Sequence, residues 1–455
     1  MNEKEFDACI ETLKGSSMFY MSLGSKELFH SNFLHWLYVV CPKYFIKVMH
    51  SLANVEKFWW EDSQYTIDVR REDKNFDLSV WLLDSKEQEP ECWIPVLVLE
   101  NKMKSLPYRE QLEEYVGKVT EIWRKSKLVK SNLKSDSTWI DKHNVTLILL
   151  SLLEPTNKKA LTEPIRENIL NNEVNYQWES KTYNDLVTFL VELEKQAIES
   201  VVLDSQFFHN IIDDYCRFVG SLFKIANKDW KITGSENYIE KVCPKNLDKG
   251  EEKRRIVILE SLRIADIREK IIYDQLLSIL EESLKKLDPN VKRVKKELLF
   301  ETYKGKTIDR NENRILCRTN YFHKIGLFEA MYMVRGKKNA IDESFYFTIQ
   351  IQGKDYTHGL QRKSIVGTNM AIKDGKPTKT NCIANLSPNG KVILQNMFFD
   401  FGNDDKFYKY GNSFIYQKRQ IEQKHSIQDV IDAVVRNIDK IRKSANGLQE
   451  NDLFL

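Results

Sequence analysis

Asp77 and the triplet Glu100-Asn101-Lys102 are the residues of this chain best suited to chemistry. Glu100 and Lys102 close the apolar run Trp93-Ile94-Pro95-Val96-Leu97-Val98-Leu99. Side chains alternate along a strand, so Glu100 and Lys102 project from one face and Asn101 from the other. Asp77 lies at the start of a second apolar stretch, Phe76–Leu83. If the two stretches pair as strands, Asp77 lies near Glu100, and two carboxylates converge beside one ammonium. Such a group suits phosphodiester hydrolysis. Mg²⁺ or Mn²⁺ takes oxygen ligands, here Asp77, Glu100 and the backbone carbonyl of Asn101. The cation would polarise a phosphate and acidify water. Lys102 would orient or deprotonate the attacking water and stabilise developing negative charge. Burial beside a cation is expected to hold Lys102 below its ordinary pKa of roughly 10.4.

The triplet alone is weak. Glu-x-Lys also occurs at Glu72–Lys74, Glu179–Lys181, Glu251–Lys253 and Glu422–Lys424, and charged strand ends are common. Only the copy at 100–102 closes a run of branched apolar residues. The surrounding elements add weight. A helix is expected from Pro107, at a first helical position, to about Lys125, with Tyr108, Leu112, Tyr115, Val119 and Ile122 at helical spacing. Gln111 and Tyr115 are four apart and share one face of it. Their plain alternative is one polar and one core residue of an amphipathic helix. Val145–Leu153 is a continuous apolar run, the mark of a strand buried on both faces. Ahead of the strands, 26–40 reads as a helix with Ser25 as N-cap.

The order strand, strand ending in Glu-x-Lys, helix, strand resembles the core of the PD-(D/E)XK nuclease superfamily. The helix with Gln-x-x-x-Tyr is similar to its RecB-like and Cas4-like branches. The segment Ser25-Lys26-Glu27-Leu28-Phe29-His30-Ser31-Asn32-Phe33-Leu34-His35-Trp36-Leu37 resembles the opening helix of an uncharacterised bacterial group within it. The resemblance spans roughly 20–220. It implies metal ligation by Asp77 and Glu100, catalysis by Lys102, and substrate or site contacts by Gln111 and Tyr115. It also implies that Glu27 is an added helix carboxylate at the metal; first-turn carboxylates also favour the helix dipole without any catalytic role. The motif's proline is Phe76 here. His30, on the same side as Glu27, is a candidate phosphate contact or else a hydrogen-bonded structural residue. Arg124, Lys125, Lys127, Lys130 and Lys134 follow with no acidic residue between them, and are read either as nucleic-acid backbone contacts or as a solvated loop.

The 455 residues suggest two domains. An α/β restriction-endonuclease-like core, a mixed sheet flanked by helices, is expected over 1–228. An α+β domain with an antiparallel sheet follows over 229–455. There a long helix is expected over 251–287, ended at Asp288-Pro289. Strands are expected at Leu327–Val334, around Phe345–Ile351, at Lys391–Phe399 and at Ser413–Tyr416, and a helix over 426–444. A second basic cluster, Lys292, Arg293, Lys295 and Lys296, opens this sheet. Net charge is only +3, so any nucleic-acid footprint must be local. The seven cysteines are scattered without Cys-x-x-Cys spacing, which argues against a disulfide framework or structural zinc and for a reducing cytoplasm. No apolar run has membrane-spanning length, and no secretory leader is visible. No Gly-rich phosphate loop is present.

The expected function is a Mg²⁺- or Mn²⁺-dependent nuclease acting on DNA, with a role in bacterial defence against foreign DNA implied by resemblance. The second domain would recognise nucleic acid, a partner protein or a second copy in a homodimer. The alternatives are an RNase and a catalytically inactive nucleic-acid-binding or regulatory protein that keeps the fold.

Overall fold

The computed structural model describes residues 1–23, 26–61, 65–83, 93–155, 158–197, 206–294, 315–322, 325–335, 343–364, 372–373, 376–377, 388–390, 392, 406–410 and 414–445. The chain divides into two compact units, Met1–Lys231 and Ile232–Leu455. The sequence reading set this division at 228/229.

In the first unit, helices α1 (Glu3–Gly15), α2 (Ser17–Ser22), α3 (Lys26–Val40) and α4 (Pro42–Ala53) precede strands β1 (Thr66–Asp73), β2 (Phe76–Leu83) and β3 (Ile94–Lys102). Helices α5 (Arg109–Lys125), α6 (Lys127–Ser135) and α7 (Trp139–Lys142) lead to β4 (Thr146–Ser151), then α8 (Lys158–Thr162). Strands β5 (Ile165–Ile169), β6 (Asn172–Tyr176) and β7 (Trp178–Thr182) precede α9 (Tyr183–Ala197) and α10 (Gln206–Ile225). The sheet runs β1-β2-β3-β4-β7. Its first three strands are antiparallel, and β4 and β7 join in parallel. All nine residues of β3 are buried, as a strand covered on both faces requires. The turn into β2 uses Lys74 and Asn75, both at positive φ, the conformation of a two-residue hairpin loop matched to strand twist. This turn delivers Asp77 one residue into β2. Helix α5 buries Leu112, Tyr115, Val116, Val119 and Trp123 along one stripe.

The second unit contains α11 (Tyr238–Val242), α12 (Glu251–Ser261), α13 (Ala265–Leu287), strands β8 (Lys292–Arg293), β9 (Ile315–Phe322), β10 (Ile325–Arg335), β11 (Glu343–Gln352), β12 (Asp355–Ser364), β13 (Ile372–Lys373), β14 (Lys376–Pro377), β15 (Tyr408–Tyr410) and β16 (Phe414–Gln420), and helix α14 (Ile427–Ala445). Seven strands form one sheet, β15-β16-β12-β11-β10-β9-β8, antiparallel except for β8 beside β9. One face carries Phe328, Phe347, Ile349 and Ile351 into a core shared with Leu276 and Leu280 of α13 and Val430, Val434 and Ile438 of α14. Gly326 admits this packing: an added Cβ would stand 2.2 Å from the Tyr273 ring. Ser426 and Asp429 cap α14 reciprocally, at 3.1 and 2.8 Å.

Several expectations need correction. The helix expected over 251–287 is two helices, α12 and α13. Arg263 adopts φ +57°, its N–H bonds Glu260 and that of Ile264 bonds Leu259. This is a Schellman turn with Arg where Gly is usual, so no Gly or Pro announced it. Pro107 precedes rather than starts α5, because Tyr108 is extended (φ −136°, ψ 152°) and forms the N-cap. Ser25 lies outside the described residues, as do Lys295 and Lys296 and nearly all of the strand expected at Lys391–Phe399. Cys9, Cys41, Cys216, Cys243 and Cys317 are buried free thiols. Among the described residues no helix is long and apolar enough to cross a membrane.

Candidate active site

Antiparallel pairing of β2 with β3 sets Leu78 opposite Leu99, and the same register carries Asp77 opposite Glu100 on one face of the sheet. Beyond Leu99 the pairing with β2 stops, while β3 continues beside β4 as far as Lys102 opposite Ser151. The amide of Asn101 is thereby left without a strand partner on the β2 side. Asp77 supplies one: the Asn101 N–H donates to its Oδ2 at 2.6 Å.

Glu100 is 1 % exposed. Its Oε1 accepts from Lys102 Nζ at 2.5 Å and from Gln111 Nε2 at 2.9 Å. Its Oε2 is buried and, among the described residues, has no hydrogen-bond partner. A buried carboxylate oxygen without a donor is costly unless something positive fills the place. Tyr115 stands on the same face of α5, and burial together with the Glu100 carboxylate pushes its phenol up. Lys118 Nζ lies 4.9 Å from the Tyr115 ring centroid. Ser151 Oγ, fully buried on the face that carries Lys102, also lacks a partner among the described residues.

The electrostatics follow from this crowding. Burial, and then the Glu100 charge, raise the Asp77 carboxyl to about 8, against the opposing pull of the Asn101 N–H and of Lys102. For Lys102, burial disfavours the ammonium, but Glu100, with Glu27 and Asp77 behind it, outweighs that and the pKa is raised. The expected lowering does not occur, because the dominant neighbour of Lys102 is an anion and not a cation. Two carboxylates with one shared ammonium and an open oxygen fit a divalent cation. Mg²⁺ is ordinarily held by one or two carboxylates, with waters and phosphate completing the shell. Among the described residues no group of three or more His, Cys, Asp or Glu side chains is arranged to hold a metal.

The other candidates fall in different places. Glu27, in the first turn of α3, accepts the Lys104 N–H at 3.1 Å, and its charge acts on Lys102. It stands beside the site rather than as a third member of the carboxylate group. His30 is buried, its Nδ1 is 2.9 Å from Tyr215 Oη, and burial lowers its pKa to about 3. It is a neutral core residue enclosed by Tyr183, Tyr215 and Phe218. The basic cluster lies at the far end of α5, roughly 20 Å along the helix from Gln111 at 1.5 Å per residue. Arg124 donates to Asn168 O at 2.5 Å and stands 3.5 Å from Glu167, Lys125 pairs with Glu121 at 2.5 Å, and Lys130 reaches Lys125 O at 3.2 Å. Lys127 and Lys134 are exposed on α6.

Two residues that sequence reading left aside meet the site from behind. Asn101 Nδ2 donates to Ser31 Oγ of α3 at 2.6 Å, and Tyr183 Oη of α9 donates to Asn101 Oδ1 at 3.3 Å. No local spacing links positions 31, 101 and 183, so only the tertiary packing shows the group.

Residues 18–217 match the family model described as the PD-(D/E)XK nuclease superfamily, whose phosphodiesterases are in general dependent on divalent cations. Comparisons with curated proteins and with solved structures return no match. The matched segment contains β2, β3, α5 and β4, and so includes Asp77, Glu100 and Lys102. Over residues 18–217, the chain is similar to the PD-(D/E)XK nuclease superfamily.

Proposed function

We propose that this protein is a Mg²⁺- or Mn²⁺-dependent deoxyribonuclease that cuts within DNA, with Asp77 and Glu100 as side-chain ligands and Lys102 as the catalytic cation. The observation that carries the reading is the buried Glu100 Oε2, lacking a donor among the described residues while its partner oxygen holds Lys102 and Gln111. A divalent cation bound there supplies charge neutralisation at the phosphate and acidifies water. Asp77 is kept on station by the Asn101 N–H, and the Asn101 carbonyl is assigned as a further oxygen ligand. Gln111 holds the Glu100 carboxylate in its rotamer, and Tyr115 closes the same side of the site. Glu27 sets the charge around Lys102. Lys102 directs the attacking water and meets the charge that grows on the phosphate oxygens.

The exposed basic groups along the far end of α5 and on α6, Arg124, Lys125, Lys127 and Lys130, are assigned to the duplex backbone away from the cut. The second unit is assigned to recognition, of nucleic acid, a partner protein or a second copy. Action in bacterial defence, in the cytoplasm, is the setting that the sequence resemblance favours. Plasmid cleavage with Mg²⁺ or Mn²⁺ tests the activity, using wild type, Asp77→Ala and Lys102→Ala, with single-stranded RNA and DNA in parallel. The reading requires metal-dependent DNA cutting in wild type alone. Equal traces in all three proteins would overturn it, and cutting confined to RNA would make the enzyme a ribonuclease.

A further inference from the structure

We infer that Ser31 and Tyr183 are positioning residues that act through Asn101 to hold Asp77 and Glu100 in cation-binding geometry. The inference rests on the proposed nuclease reading. Asn101 is the middle residue of the Glu-x-Lys triplet and points away from the site, into the face covered by α3 and α9. It is 1 % exposed, within a strand otherwise composed of Ile, Pro, Val and Leu up to Leu99. A buried amide is unfavourable unless both of its ends are bonded, whereas Leu or Val would pack there without that demand. Here both ends are bonded, Nδ2 to Ser31 and Oδ1 to Tyr183. The two partners come from separate helices, so the side chain is pinned from two directions.

The consequence reaches the other face through the backbone. The same residue donates its N–H to Asp77, at the point where β2 and β3 have ceased to pair. Past Leu99 no ladder bond to β2 fixes the orientation of that peptide. The β4 ladder on one side and the clamp on the covered face do so together, setting both the donor on which Asp77 rests and the direction in which Glu100 leaves the strand. Support continues outward. The Tyr183 ring meets His30 edge-on at 4.8 Å, and His30 bonds Tyr215 of α10. This gives His30 a place in the supporting packing rather than in phosphate binding. Outer partners that orient metal ligands typically govern 10- to 100-fold of affinity or activity.

The test compares Ser31→Ala, Tyr183→Phe and the double variant with wild type. Tyr44→Phe serves as the control, since it removes a buried hydroxyl that bonds Leu190 O at 2.8 Å elsewhere in the unit. Mn²⁺ affinity is read by calorimetric titration, and kcat and KM on plasmid DNA, well below each variant's melting temperature. Each clamp variant is expected to lose about 10-fold in Mn²⁺ affinity and in kcat with KM for DNA unchanged, and the double variant more, while Tyr44→Phe changes neither. Tyr183→Phe keeps the ring, so it reports the hydroxyl rather than the packing. Clamp variants that match wild type in both readouts overturn the inference while leaving the nuclease reading intact. So does a Tyr44→Phe variant that falls equally, which would mean general loosening. A wild type that neither binds Mn²⁺ nor cuts overturns the nuclease reading itself.

Discussion

The backbone N–H of Asn101 donates to the Asp77 carboxylate at 2.6 Å, joining the two strands one step past the end of their ladder. The bond holds one acidic group against the start of Glu-x-Lys, where burial, and then the Glu100 charge, disfavour its ionised form. The pair is strained electrostatically in the absence of a cation, and this strain can be measured.

Asp77→Asn should stabilise the metal-free protein while abolishing cleavage. The folded pKa of Asp77 is raised to about 8, above its unfolded value of roughly 3.9. The folded state therefore binds more protons between these values, and its stability falls as pH rises from about 4 through about 8. Asn carries no such loss and keeps an oxygen for the Asn101 N–H. In EDTA, urea melts should show the two proteins alike at pH 4 and the variant ahead by about 1 kcal/mol or more at pH 8. Equal stability at both pH values would contradict the crowding of the carboxylates.

Lys102→Met should behave in the opposite way. It leaves Glu100 buried without its counter-charge, a change that costs about 3–5 kcal/mol in buried pairs. Added Mn²⁺ should restore much of the stability and none of the activity. Chemical denaturation with and without Mn²⁺ measures the first effect, and plasmid cleavage the second.

Gln111→Ala removes a direct partner of Glu100 on the site face. Cleavage should fall about 10- to 100-fold, chiefly through Mn²⁺ affinity, with only about 1 kcal/mol lost in stability. A variant with normal Mn²⁺ dependence would make Gln111 a bystander of α5.

Lys127→Ala with Lys130→Ala should leave kcat at saturating DNA unchanged. For every phosphate that the variant no longer neutralises, the salt slope of DNA binding should shrink by about 0.9. Binding measured at three salt concentrations tests this, and an unchanged slope would return both residues to a solvated surface.

The legible part of the site was the part written in local pattern. An apolar run closed by Glu-x-Lys and an Asp one residue into the preceding strand follow from periodicity, whereas a site role for Gln111 and Tyr115 was implied by the family resemblance; the structure sets Gln111 2.9 Å from Glu100. What stayed hidden came from distant packing. Ser31 and Tyr183 are ordinary residues in sequence, and only the meeting of α3 and α9 over β3 joins them to Asn101. His30 looked available because the aromatic wall of Tyr183, Tyr215 and Phe218 that encloses it lies more than 150 residues away. Strand β1 was missed because its edge position leaves only Val69 buried among charged neighbours. The α12–α13 break was missed because Arg, not Gly, takes the left-handed position.

Cation binding between Asp77 and Glu100 is tested by an anomalous difference map at the manganese edge, from a crystal of the wild-type protein soaked in Mn²⁺. A peak is expected about 2.1 Å from oxygens of both Asp77 and Glu100, with Glu100 Oε2 among them. A clean map with no peak between these carboxylates, or a peak ligated by other residues, would contradict it.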